Sequence, residues 1–174
     1  MNLFLTSNII SKVLEIDNCN KDVFIEALYK PNIWEKAAPV KSMKVEFISP
    51  NVFRSEIIDE VKLTVGNLLN IPIEMTGELV LLDEGEIPQK GRLIKFNVRN
   101  NKNIKELEGR IRIKDISLNK TKIGVFVDHF TFSSDFLNLI GKNAGELILR
   151  SKITDLLRNL EKFCKKNDLK ELLK

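Results

Sequence analysis

The stretch that decides the fold is residues 134–166, SDFLNLIGKNAGELILRSKITDLLRNLEKFCKK. Apolar residues recur in it every three to four positions, which predicts a long helix near the end of the chain. Residues 40–132 alternate instead between apolar and polar positions, as half-buried antiparallel strands do. A single long helix that covers the apolar face of a curved sheet usually leaves room between the two, which indicates a container for a small apolar molecule.

The apolar residues of this helix form two stripes that lie roughly 180° apart on a helical projection. The first consists of Phe136, Ile140, Ala144 and Leu147, and the second of Leu149, Ile153, Leu156, Leu160 and Phe163. A straight helix held by one sheet should not change sides, so we expect a break or bend at Gly141 or Gly145. Residues 134–140 could form a separate short helix. Alternatively, Ala144 and Gly145 could form a flexible entrance to a cavity, with residues 149–163 sealing the core.

The preceding elements follow from periodicity and from turn residues. A first strand is predicted at 9–16, followed by short helices at 21–29 and 32–37, with Pro31 ending the first of them and Pro39 the second. Further strands are predicted at 43–47, 53–61, 73–81, 94–98, 106–113 and 122–132. Short turns between alternating strands indicate an antiparallel meander that is apolar on one face. The last strand is apolar on both faces, which indicates a bulge or burial on two sides.

Composition excludes several classes of protein. With 174 residues, 43% of them apolar and 30% charged, the chain is expected to form one globular domain over 1–174. The longest apolar run, 79–82, is far too short to span a membrane, and the first residues lack a secretory pattern, so we expect a cytoplasmic protein. A net charge of +4, with many lysines near the C-terminus, indicates a solvated helix face rather than nucleic-acid binding.

The residues that could hold a metal ion are few and far apart in sequence. Cys19, Cys164 and His129 lack the paired spacing of a zinc site, and a single histidine cannot complete one. We therefore expect two free, buried thiols, no metal and no other cofactor.

The order of elements resembles the helix-grip fold of the SRPBCC superfamily, which includes START lipid-transfer domains, birch-pollen-allergen-like proteins and polyketide cyclases. The sequence PNIW at 31–34 is similar to the Pro-x-x-Trp that often begins the second helix there. FSSDFL at 132–137, with Gly141, is similar to the usual lead into the terminal helix. Over nearly the whole chain, the resemblance implies an α+β fold in which a seven-stranded curved antiparallel sheet wraps around a long C-terminal helix, with two short helices after the first strand.

The resemblance also implies a deep apolar cavity that binds fatty acids, sterols, quinones or polyketides. The residues predicted to line it share the inward face of the strands or the inner side of a helix. They are Trp34, Phe47, Phe53, Ile57, Asp59, Met75, Leu79, Ile94, Phe96, Val98, Ile111 and Ile113, with Leu139, Ile140, Ala144, Leu147 and Ile148 at the mouth. The alternative is that these side chains pack together as a dry core.

Sequence patterns favour binding over catalysis. No nucleophile elbow, phosphate loop or paired catalytic carboxylate stands out. We expect a protein that binds or transports a hydrophobic molecule such as a fatty acid. The alternative is an enzyme of cyclase or dehydratase type, for which Asp59, Ser55, His129 and Tyr29 would have to converge in the cavity. A weaker alternative is an interaction module that binds a protein with the outer face of the sheet. The oligomeric state stays open, a dimer included.

Overall fold

The computed structural model describes residues 10–38, 40–65, 67–133, 135, 138 and 141–174, with side chains described outside 61–71, 73–75 and 142. The strands are β1 (Ile10–Asp17), β2 (Ser42–Ser49), β3 (Val52–Val65), β4 (Asn67–Ile87), β5 (Gly91–Arg99), β6 (Ile104–Ser117) and β7 (Lys120–Phe132). The helices are α1 (Lys21–Leu28), α2 (Pro31–Ala37), α3 (Lys142–Lys166) and α4 (Leu169–Leu172).

The seven strands form one antiparallel sheet in the order β1-β7-β6-β5-β4-β3-β2. Consecutive strands from β2 to β7 are neighbours, as short turns predicted, and β1 joins the far edge by pairing with β7. Helix α3 lies against the concave apolar face, and α1 and α2 cover it at one end. The predicted fold class is confirmed: a seven-stranded curved antiparallel sheet around a long C-terminal helix.

The two short helices begin at different kinds of residue, a side-chain cap for α1 and a proline for α2. Asn20 Oδ1 accepts a hydrogen bond from the backbone N–H of Val23 at 2.9 Å, so α1 begins after Asn20. The prediction that Pro31 ends the first helix is wrong, because α1 ends at Leu28 and Pro31 is the first residue of α2. A proline suits this position, since its fixed φ matches the helix and the N–H that it lacks would be unpaired there.

Strands β3 and β4 are longer than predicted and pair as far as Val65 and Asn67. The predicted strands were too short because residues 62–72 lack a regular alternation of apolar and polar positions and include Pro72. Among the described residues, β5 pairs with β4 from Glu78 onward, so Pro72 lies where no β5 strand needs its N–H. At the other end of β4, residues 83–86, which lie between the predicted strands 73–81 and 94–98, belong to the strand, with a bulge at Glu84 before Gly85 (φ 87°).

A bulge in β7 explains why this strand is apolar on both faces. Glu108 of β6 pairs with His129 and Gly109 pairs with Val127, so Asp128 is the extra residue. The insertion changes which side chains point inward, and the predicted bulge is therefore confirmed. The side chains on the inner face are Ile123, Val125 and Val127 before the bulge, and Phe130 and Phe132 after it.

The long helix begins directly after the first of the two candidate glycines. Helix α3 begins at Lys142, directly after Gly141, whose φ of 77° suits glycine best. Gly145 has a different role: a Cβ atom there would overlap the ring of Phe132, so the missing side chain lets α3 approach β7 closely. The predicted second stripe, 149–163, faces the core. The predictions for Phe136, Leu139 and Ile140 lie outside the described residues.

The two thiols meet although their residues lie far apart in sequence. Cys19 and Cys164 are 3% and 1% exposed and free, as predicted, and they share a hydrogen bond. This hydrogen bond and burial raise the pKa of the Cys19 thiol. The short helix α4, which the sequence did not predict, covers them with the buried Leu169.

We expect neither thiol to react with dithiobis(nitrobenzoate) in the native protein, because both sulfur atoms are buried out of reach of the reagent. Absorbance of the released thiolate should rise to two equivalents per chain only after guanidinium is added. Fast release of one or two equivalents from the native protein would contradict this packing.

Candidate ligand-binding cavity

A cavity of about 340 Å³ lies between the inner face of the sheet and α3. Strands β2 to β7 and helices α1, α2 and α3 all contribute to its wall. The volume is within the range of small-molecule sites, and most of the wall is apolar, as is usual for such sites. The space arises because one helix cannot fill the concave side of a curved seven-stranded sheet.

The structure places many of the predicted ligand-binding residues on this wall, and their contact with a ligand stays a prediction. They have in common an inward position on a strand or helix that faces the open part of the sheet. They are Trp34, Phe53, Ile57, Asp59, Leu79, Phe96, Val98, Ile111 and Ile148.

The expected lining is corrected at five positions. Ile94 and Ile113 have the right inward orientation but are 0% exposed, because α1 covers this end of the sheet directly and leaves no space. Phe47 lies on the edge strand β2 and is 44% exposed. Ala144 and Leu147 lie on the first turns of α3 and do not line the cavity, and Leu147 is 66% exposed. Leu139, Ile140 and the side chain of Met75 lie outside the described residues.

The position of Leu147 tests the hypothesis that the first turns of α3 form the entrance to the cavity. It was expected to lie at the mouth with Ile148, yet it points to solvent, whereas Ile148 lines the cavity. The two stripes therefore do not both face the cavity within α3. What the first stripe contacts before Gly141 lies outside the described residues.

An ion pair crosses the cavity from the sheet to the long helix. Asp59 on β3 is buried, with 6% exposure, and its Oδ2 contacts the ammonium group of Lys152 on α3. The alternation of β3 placed Asp59 on the inward face, either in the cavity or at the sheet rim in water, and Lys152 was not predicted. The signal was present, because Lys152 lies three residues after Leu149 and four before Leu156, and so belongs to the apolar stripe.

Two further polar side chains on the wall, Glu78 and Asn101, already have hydrogen-bond partners. Glu78 Oε2 accepts hydrogen bonds from Arg99 Nε at 2.7 Å and from Asn100 Nδ2 at 3.1 Å, and the Arg99 hydrogen bond holds the pKa of Glu78 below its usual value. Asn101 Oδ1 accepts from the backbone N–H groups of Asn103 and Ile104, both at 2.9 Å, which shapes the β5–β6 turn. These side chains therefore mainly stabilise the sheet.

The four residues of the catalytic alternative do not converge. Ser55 and Asp59 line the cavity, but they lie four residues apart on one strand, which separates them by about 13 Å. His129 is exposed beside the β7 bulge and is not part of the wall. Tyr29 is half-buried behind Phe53, with the ring centroids 6.2 Å apart, and burial raises the pKa of its hydroxyl.

The described part of the chain lacks two further features, a metal-binding cluster and a membrane-spanning helix. No group of three His, Cys, Asp or Glu side chains there could hold a metal ion. None of the described helices has the length and apolar character needed to cross a membrane.

Comparison with known proteins identifies the fold. The sequence matches no family model and no curated protein. Several solved structures do match, and the three described next each cover 90% of this chain. One is a START superfamily protein from Mycobacterium smegmatis (TM-score 0.61, 10% identity, 97% of that chain). Another is the Zhui aromatase/cyclase from a Streptomyces species (TM-score 0.61, 11% identity, 93% of that chain). A third is a protein from Thermus thermophilus (TM-score 0.60, 14% identity, 97% of that chain).

Sequence identities this low establish a shared fold and do not transfer an activity. The structural likeness covers the sheet and the helices together, so it agrees with the resemblance first seen in the order of the elements. The protein therefore has the helix-grip fold.

Proposed function

We propose that this protein binds a hydrophobic small molecule, such as a fatty acid or a similar lipid, in the cavity between the sheet and α3. The observation that carries the proposal is an apolar space of about 340 Å³ inside a chain of only 174 residues. Closely packed interiors rarely leave voids larger than a water molecule, so a space of this size calls for an occupant. Each buried methylene contributes about 0.8 kcal/mol, and an alkyl chain could bind tightly without a specific motif.

A cyclase-type reaction on an apolar substrate is the second candidate. The similarity to an aromatase/cyclase supports it. The separation of Ser55 and Asp59 and the exposure of His129 weigh against it, because general acid–base catalysis needs groups within hydrogen-bonding reach of one reacting centre. Binding without chemistry is therefore the proposal that the geometry favours. The single domain over 1–174 and the cytoplasmic location stay predictions.

A Val125→Phe substitution tests the proposal, because Val125 lines the cavity and a larger side chain should displace ligand volume. We expect affinity for the neutral dye Nile red to fall by about tenfold or more, which corresponds to about two methylenes of lost burial. Fluorescence titration of delipidated protein measures this. Native mass spectrometry of mildly purified wild-type protein should in addition show bound lipid.

Val13→Phe is the matched control. Val13 faces solvent on β1, 53% exposed, and pairs with Gly124 beside Val125. It should bind the dye as the wild type does. If the wild type binds no dye and carries no lipid, or if Val125→Phe binds as well as Val13→Phe, the cavity is not a binding site.

A further inference from the structure

Asp59 and Lys152 form the only ion pair in which both partners belong to the described cavity wall. Asp59 lies on the inner face of β3, two residues after the inward Ile57, while Lys152 lies on the apolar stripe of α3 between Leu149 and Leu156. The remaining charged side chain on the wall, Glu78, is held by Arg99 and Asn100. Among the described wall residues, Asp59 and Lys152 are therefore the charged side chains that can still contact a bound molecule.

The pair is incompletely satisfied. The described partner of Asp59 Oδ2 is the Lys152 ammonium, and no hydroxyl or amide among the described residues donates a hydrogen bond to this buried oxygen. The ammonium has three N–H donors, and the lysine side chain is 28% exposed. A carboxylate and an ammonium that face an apolar space retain hydrogen-bonding capacity that a bound molecule can use.

We propose that Asp59 and Lys152 select the head group of the ligand, and that they favour an uncharged group such as a hydroxyl over a free carboxylate or an amine. This rests on the proposed function and deepens it. A hydroxyl can accept from Lys152 and donate to Asp59 at once, and it leaves the net charge of the pair at zero.

Charged head groups are disfavoured by the same geometry. A carboxylate would bring a second negative charge beside Asp59, and an amine a second positive charge beside Lys152. In a cavity with an apolar wall, such like-charge contacts are screened weakly and the lost hydration is poorly replaced. The pair should therefore discriminate between ligands that have the same alkyl chain.

Removing one charge at a time should reverse the selectivity in opposite directions. Asp59→Asn leaves the positive charge of Lys152 alone, so a carboxylate becomes the preferred head group. Lys152→Gln leaves the negative charge of Asp59 alone, so an amine becomes preferred. Asp59→Asn keeps the size of the side chain, Lys152→Gln shortens it slightly, and both keep some hydrogen-bonding capacity.

The experiment measures displacement of Nile red from the full chain by decanol, decanoic acid and decylamine at neutral pH. We expect the wild type to bind decanol about tenfold more tightly than the other two. Asp59→Asn should bind decanoic acid best, and Lys152→Gln should bind decylamine best. Lys165→Gln, which removes an exposed charge elsewhere on α3, should keep the wild-type order.

Circular dichroism and Nile red binding identify the variants that fold. The inference is supported if the wild type prefers decanol and at least one of the two variants, Asp59→Asn or Lys152→Gln, shows its expected change of preference. Tightest binding of decanoic acid by the wild type overturns the inference, as does one common order in all four proteins. Nile red binding that no decyl compound displaces also overturns it, while the cavity remains a binding site. If the wild type binds neither the dye nor any decyl compound, the proposed function fails as well.

Discussion

Replacing Phe53 by alanine should lower the free energy of unfolding by about 3–5 kcal/mol, the usual cost of removing a buried phenylalanine. Phe53 is 2% exposed and lies between Phe47 and Tyr29, with ring centroids 4.5 Å and 6.2 Å away. Its ring also forms part of the cavity wall. The void left by the substitution would join the existing cavity, so the neighbouring side chains could not close it. The midpoint of thermal unfolding should fall by about 6–20 °C.

Phe47→Ala is the matched control for this prediction. Phe47 pairs with Phe53 across β2 and β3 and is 44% exposed. It should lose little more than the aromatic contact, about 0.5–1.5 kcal/mol. Denaturant unfolding followed by circular dichroism measures both variants. Equal losses at the two positions would show that Phe53 is not the core residue described here.

Replacing Gly109 by alanine should cost about 3 kcal/mol, although only one methyl group is added. A Cβ atom at Gly109 would overlap the backbone carbonyl oxygen of Phe126 and the ring of Phe96. The carbonyl belongs to β7, beside the bulge at Asp128, and cannot move without breaking the pairing of β6 with β7. Reduced stability and loss of cavity binding are therefore expected together.

Gly124→Ala gives the comparison, since Gly124 lies on the neighbouring strand and also contacts Phe126. There an added Cβ would lie 2.8 Å from the end of the Phe126 ring, which is half-buried and can rotate away. The change in free energy of unfolding should stay within about 1 kcal/mol, because alanine recovers some backbone entropy. A Gly109 variant as stable as the Gly124 variant would contradict the close approach of β6 and β7.

The fold could be predicted from the sequence because burial imposes a period on each element. Alternation over residues 106–113 can bury one face only as a strand, and the stripe over 149–163 can bury one face only as a helix. Gly141, directly before the first residue of α3, was likewise one of the two positions at which the stripes predicted a break or bend. The length of the β3–β4 hairpin was underestimated. Its outer residues pair only β3 with β4, and this backbone pairing forms without a regular apolar alternation.

The cavity wall was predicted in part, for a reason that particular residues show. Phe53, Ile57 and Ile111 were expected to face inward, and they line the cavity. Ile94 has the same orientation as Phe96 on β5, yet only Phe96 reaches the open space. Alternation reports the face of a sheet, but the distance from that face to a covering helix depends on how distant elements pack.

The sequence by itself determined which residues form the sheet, which form the long helix and which faces are apolar, because these depend on local periodicity. Only the tertiary structure decided where space remains and which charges meet in it. The inward turn of Phe130 depends on a bulge at Asp128, which pairing with β6 defines. Asp59 and Lys152 are far apart in the sequence, so local periodicity cannot predict that their side chains meet.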